Sequence, residues 1–370
     1  MKNVVIIGGG ISGLLTSIQL INADIPCTVI EKKHYPFHRV CGEYISNEAV
    51  PFLKSLALFP EEYNPPKIRR LQLSSVTGRN EILPLDLGGF GISRYTFDNL
   101  LYQKARKAGV RFYLQEEVDK IQFTGEKFFI RTQERELNSD IAIGAFGKRS
   151  KLDIFLKRSF TQKRSPYVGV KYHIHTDHPD DLIALHNFKG GYCGISNVEN
   201  GMSNLCYLTH REQMRKFKNV SEMERQILHQ NPLLKEIFLN SKFIWDKPET
   251  INEISFETKS PVDRHILMTG DAAGMITPLC GNGMAMAIRS SKVLSEKLIS
   301  HIRDNTSRSE LEREYAEEWN RLFKSRLWFG RQVQKLFGNH WASNIAVNLA
   351  IHVRPVANLV IRGTHGEPFA

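Results

Sequence analysis

Three glycines, a serine and a carboxylate near the N-terminus carry the first chemistry in this sequence. Gly8-Gly9-Gly10-Ile11-Ser12-Gly13 is a G-x-G-x-x-G run, and Glu31 lies 18 residues beyond Gly13. The pattern suits a dinucleotide. Gly8 permits a tight turn, Gly10 lets backbone approach a pyrophosphate, and Gly13 lets a helix pack closely on a strand. The first N–H groups of that helix, Ser12 among them, face the phosphates with the positive end of the helix dipole. Glu31 stands where such sites place the acid that binds a ribose hydroxyl, with Lys32 beside it.

The elements that must position these residues lie in the same stretch. Val4-Val5-Ile6-Ile7 is a continuous β-branched run, as expected of a parallel strand buried on both faces. A helical pattern covers 14–22, and a second strand, 27–30, ends at Glu31. Together they form a βαβ unit. Such a unit serves NAD and FAD alike.

Composition narrows the partners. The 370 residues carry 50 Lys and Arg against 39 Asp and Glu, a net charge of +11, which attracts anions. The cations come in short groups such as Lys67-Ile68-Arg69-Arg70, with no basic arm, helix-turn-helix or zinc-finger pattern, so nucleic acid is not an expected partner. Five cysteines without C-x-x-C spacing give neither a disulfide framework nor a zinc site. With no signal-peptide pattern and no apolar run of about 18 residues, the expected location is cytoplasmic.

Four further segments resemble those of the geranylgeranyl reductase family of FAD-dependent oxidoreductases, within the p-hydroxybenzoate hydroxylase fold. Arg39-Val40-Cys41-Gly42-Glu43-Tyr44-Ile45-Ser46 resembles K/R-x-C-G-G-x-I-S, and Arg94-Tyr95-Thr96-Phe97-Asp98 resembles the R-x-x-F/L-D helix start. Gly144-Ala145-Phe146-Gly147-Lys148-Arg149-Ser150 is similar to G-A-D-G-x-x-S, and Gly270-Asp271-Ala272-Ala273-Gly274, with Pro278 and Gly281-Asn282-Gly283, to G-D-A-A-G…P…G-x-G. The resemblance covers roughly 1–300 and implies FAD. It implies that Asp271 accepts from a ribityl or ribose hydroxyl, and that Gly281, Asn282 and Gly283 open a helix facing the flavin. Arg39 would neutralise pyrophosphate, Arg94 would fix the loop beneath the cofactor, and Val118 would complete the cofactor site. Cys41 and Glu43 would lie near the ring as proton donors or positioning groups.

Two positions depart from the pattern. Phe146 replaces the aspartate of G-A-D-G, which removes a polar contact linked to nicotinamide or flavin phosphate handling and weakens the case for NAD(P)H as electron donor. Glu43 replaces the second glycine of C-G-G and brings a carboxylate to the reaction face. None of Trp245, Trp319, Trp328 and Trp341 lies in the W-x-W-x-I-P context of flavin-dependent halogenases of this fold.

The expected fold class is α/β (α+β overall): a Rossmann-like βαβ domain with an inserted, mostly antiparallel β-sheet domain and a C-terminal helical region. Residues 1–67, 92–165 and 256–308 are assigned to the FAD-binding domain, 68–91 and 166–255 to the substrate domain, and 309–370 to the helical region. Short strand patterns at 167–174, 191–196 and 203–208, with 68–76 and 81–85, build the sheet. Its aromatics Tyr167, Tyr172, Phe188, Tyr192 and Tyr207 are either pocket lining or core. A pocket so lined suits a lipid, isoprenoid, aromatic or polyketide-like substrate. His173 and His175 share one strand face, but no acid or thiol has ligand spacing, so they mark a solvated strand end and no metal is expected. Leu322, Phe329, Val333 and Leu336 recur at helical spacing between Lys324, Arg326, Arg331 and Lys335, a stripe that packs across the flavin domain or touches an anionic bilayer. The stretch from Trp341 to Ile361 continues it.

Three functions fit. One is a reductase or dehydrogenase moving hydride between flavin and a C–C bond of an apolar substrate. The second is a monooxygenase, since fold alone does not separate the two chemistries. The third is a flavin-binding electron carrier without turnover, which the loss of aspartate at Phe146 favours.

Overall fold

The computed structural model describes residues 2–277, 281–334 and 366–370. Its first sheet has six strands in the order Val262–Asp263, Ile266–Met268, Ile141–Gly144, Val4–Ile7, Cys27–Glu31 and Arg111–Leu114. All neighbours pair parallel except the first two. Val4 to Ile7 are at most 4% exposed, because helices and the strands 118–123 and 128–132 pack around them in one core. Ile11–Asn22 and Gly283–Asp304 pack on each other against this sheet.

The second sheet has nine strands. Lys242–Phe243, Tyr167–His175, Ser203–His210, Gly191–Asn197, Leu182–Phe188, Lys67–Ser74, Asn80–Gly91 and Tyr44–Ser46 follow in spatial order, and Glu249–Ile254 adds to Tyr167–His175. Only Leu182–Phe188 with Lys67–Ser74 is parallel, with Leu73 beside Leu185. Tyr44–Ser46 belongs by hydrogen bonding to this sheet, through Asn80–Gly91, although the sequence gives 1–67 to the flavin unit. Val118–Phe123, Phe128–Thr132 and Glu136–Ser139 form a small third sheet with no counterpart in the sequence reading.

One face of the large sheet packs on helical residues 220–240. There Tyr172, Phe188 and Tyr207 join Val170, Leu205, Met223 and Leu234 in a separate core. Three of the five aromatics weighed as pocket lining are therefore core, since strand alternation turns them to the helix side.

Helix Arg308–Gln334 buries Tyr315, Trp319, Phe323 and Leu327 in the main core. Phe329 and Val333 then pack with Tyr192, Leu208, Ile254 and Met275. The stripe thus packs across the flavin-domain core and onto the large sheet as far as Val333; Lys335, Leu336 and Trp341 to Ile361 lie outside the described residues. Among the described residues, no helix is long and apolar enough to cross a membrane.

Candidate cofactor and substrate site

The strand Val4–Ile7 delivers its chain into a turn that only glycine fits. Gly8 has φ +106, and a Cβ there would lie 2.4 Å from the Ala145 carbonyl oxygen. Gly8 N donates to Ile30 O at 2.8 Å, which locks the turn to the neighbouring strand. A Cβ at Gly10 would meet only Arg94 Nη2, at 3.7 Å, so this backbone stands bare. The helix after it has no side-chain cap and no acid in its first turn. Gly8, Gly10 and Ser12 line a cavity of about 640 Å³.

A second helix start opens on the same cavity. Gly281 (φ +63) precedes Gly283–Asp304, whose N-cap residue Asn282 makes no side-chain cap and whose first turn carries no acid. Gly281, Gly283 and Asp271, which sits in the short turn Gly270–Ala272, line the cavity; Asn282 is buried beside them. Lys259 Nζ donates to the carbonyls of Lys148 and Asp271 at 2.7 Å each and so ties two wall segments together. Burial lowers its pKa to about 8.

The acid side of the site differs from expectation. Glu31 Oε2 accepts from Gly9 N at 2.8 Å and from Arg39 Nη2 at 3.3 Å, while Oε1 accepts from Lys33 N at 3.0 Å. Arg39, expected on pyrophosphate, divides its fork between Glu31 and Asp98 (3.2 Å), because two buried carboxylates lie within its reach. It still lines the cavity, as do Lys32, which reaches Glu117 at 3.5 Å, and the buried Val118. Arg94 makes two 2.7 Å bonds to Asp98. Burial would lower its pKa, but the Asp98 carboxylate more than offsets this and holds it charged.

Residues 38–43 form one wall of the same cavity. Cys41 and Arg94 both line this cavity. Glu43 is fully buried, with Oε1 2.5 Å from Lys171 Nζ and Oε2 2.6 Å from His173 Nε2. Burial alone would raise its pKa; Lys171 and His173 reverse this and bring it down to about 2. His173 is therefore an interior group and no solvated strand end, while the exposed His175 meets Gly201 O at 3.2 Å. Lys171 and His173 are functional candidates that the sequence reading missed. Their only signal is the i, i+2 spacing that puts both on the face opposite Val170 and Tyr172.

Beyond this wall the cavity runs along the large sheet between Leu71, Leu73, Leu83, Leu85, Ile183 and Leu185. Tyr44 and Tyr192 line it as well. The lining is aliphatic where the sequence suggested aromatic.

A family model described as FAD binding domain matches residues 1–325. The chain belongs to that family. It is an FAD-dependent oxidoreductase with FAD as cofactor. It is similar to digeranylgeranylglycerophospholipid reductase 2 of Methanopyrus kandleri, 23% identical over 353 residues covering 90% of this chain and 86% of the relative. Its fold is that of a flavin-dependent brominase (TM-score 0.78, 16% identity, covering 97% of this chain and 92% of that one). A flavoprotein/dehydrogenase from Cytophaga hutchinsonii shares it too (TM-score 0.74, 16% identity, 91% and 86%).

The residues present fit FAD. Two helix N-termini without caps face one cavity and supply N–H donors for a pyrophosphate and for an anionic ring edge. The bare backbone at Gly10 leaves room where a side chain would stand.

Proposed function

We propose that this FAD enzyme reduces, or in the reverse sense dehydrogenates, a C–C bond of an apolar organic substrate. The observation that carries the reading is the continuity of one cavity, from the glycine turn to the aliphatic wall of Leu71, Leu73, Leu83, Leu85, Ile183 and Leu185. An apolar wall excludes water and favours an uncharged chain or ring system. The likeness to the Methanopyrus protein, a reductase of a glycerophospholipid by name, supports reduction and an apolar substrate.

FAD, when bound, supplies hydride transfer. The protein then has four tasks. The N–H groups after Gly10 hold the pyrophosphate, and those after Asn282 favour negative charge on the ring. Asp271 accepts from a ribityl or ribose hydroxyl, Glu31 from the ribose at the other end, with Lys32 and Val118 flanking it. Arg94, tied to Asp98, fixes the turn at Gly10. Saturating a double bond also requires a proton, and Cys41 is the donor proposed for it. Glu43, held ionised by Lys171 and His173, has no proton to give at neutral pH and acts as a positioning group.

The test is anaerobic. FAD-loaded protein is reduced with dithionite, and unsaturated apolar compounds are added without oxygen. Return of the oxidised flavin absorbance in proportion to the compound added is the expected result. A flavin that no unsaturated compound reoxidises overturns the reading.

A further inference from the structure

The segment 39–43 is gripped at every second residue, by two strands of the large sheet and by the residue that follows its strand Asn80–Gly91. Lys171 Nζ donates to the Arg39 carbonyl at 3.2 Å, Asn204 Nδ2 to the Cys41 carbonyl at 3.1 Å, and Ile92 N to the Glu43 carbonyl at 3.0 Å. The Glu43 carboxylate adds three bonds, to Lys171, to His173 and to Arg94 N at 2.7 Å. Glu43 itself has φ +53, a left-handed conformation that a residue with a Cβ rarely adopts unless its surroundings impose it. Glycine would meet that φ without strain, so the side chain must be what the position uses.

Stability is a poor reason for the arrangement. A buried ion pair often adds no more than a well-packed apolar pair would, because both charges must leave water. What it does add is a fixed geometry, since neither charge can leave its partner. That geometry reaches Cys41, two residues away, which lines the cavity together with Arg94.

We propose that Lys171 and His173 are positioning residues that act through Glu43 to hold Cys41 in place on the wall of the flavin cavity. The proposal rests on the reading of that cavity as the FAD and substrate site. In this arrangement the large sheet sets the distance between the thiol and the substrate.

The test is the alkylation rate of Cys41 in FAD-loaded protein, followed by peptide mass spectrometry with iodoacetamide. Lys171→Met is expected to keep its FAD and to react about tenfold faster at Cys41, the measure of a local opening made easier. Cys27 and Cys193, buried in the two cores, report global unfolding and stay unlabelled. Lys171→Arg restores a rate near that of the wild type. In turnover, Lys171→Met lowers kcat and leaves KM unchanged, which a loss of packing alone would not do. Should Lys171→Met fail to fold, Glu43→Gln combined with Lys171→Met removes both charges and is read the same way. Wild-type alkylation of Cys41 in the folded variant overturns the proposal. The comparison also holds between apo proteins, so a wild type that binds no FAD defeats the functional reading and leaves this one to be judged on the thiol.

Discussion

Gly13 sits on the carbonyl of Gly8: a Cβ at Gly13 would lie 2.1 Å from that oxygen. At Gly10, two residues past Gly8, the same atom would meet nothing nearer than 3.7 Å. The two positions therefore separate folding from cofactor binding. Gly13→Ala is expected to lower both the thermal midpoint of the apo protein and its flavin content. Gly10→Ala is expected to leave the apo midpoint near that of the wild type and still abolish stoichiometric FAD, because its methyl occupies room that the pyrophosphate needs. Calorimetry and the absorbance of released flavin check both.

Glu224 carries a pH dependence. Its Oε1 accepts from Tyr172 and Tyr207 at 3.0 and 2.8 Å. Burial raises its pKa from 4.5 to about 7, against the lowering effect of those two bonds. The folded protein thus holds this proton more tightly than the unfolded chain. Its contribution to stability is full below about pH 4.5 and is lost as pH rises through 7, a change of about 3 kcal/mol at 1.4 kcal/mol per pH unit. Glu224→Gln should flatten the urea-denaturation stability between pH 5 and 8 by about that amount. An equal slope in wild type and variant would contradict it.

Asp98, 1% exposed, serves Arg94 through two bonds and Arg39 through one. Asp98→Asn leaves the Arg94 guanidinium without its counter-charge and is expected to cost about 3 kcal/mol in urea titrations of the apo protein. Arg39 keeps Glu31, so its share of the loss is small.

Leu73 lines the aliphatic limb beside Leu185 and away from the glycine turn. Leu73→Lys should therefore leave FAD binding unchanged and raise KM for an apolar substrate at least about tenfold, since an ammonium must be desolvated to admit it. Steady-state kinetics with matched flavin content measures this.

The sequence made the cofactor half of the site legible because its residues are local. Gly8, Gly10 and Gly13 act within one turn, and Gly281 to Gly283 open one helix, so their spacing states their geometry. The resemblance pointed to Asp271, Arg94 and Cys41, which line the same cavity. Lys171, His173 and Glu224 stayed hidden because each has meaning only across a strand pairing or a helix–sheet contact. Nothing within the run Tyr167–His175 says that it passes beneath residue 43. Tyr44–Ser46 joined the larger sheet for a similar reason: three residues carry too little periodicity to announce a partner more than 40 positions away. The aromatics misled because tyrosine and phenylalanine serve core and pocket equally, and register alone decides.

One single-turnover experiment tests the central claim most directly. Stoichiometric reduced FAD protein is mixed with an unsaturated apolar substrate, once under argon and once under isotopically labelled oxygen, and the product is weighed by mass spectrometry. Hydride transfer predicts the same product in both, heavier by two hydrogens and free of label. A product that forms only with oxygen and carries the labelled atom would contradict the account and make the protein a monooxygenase.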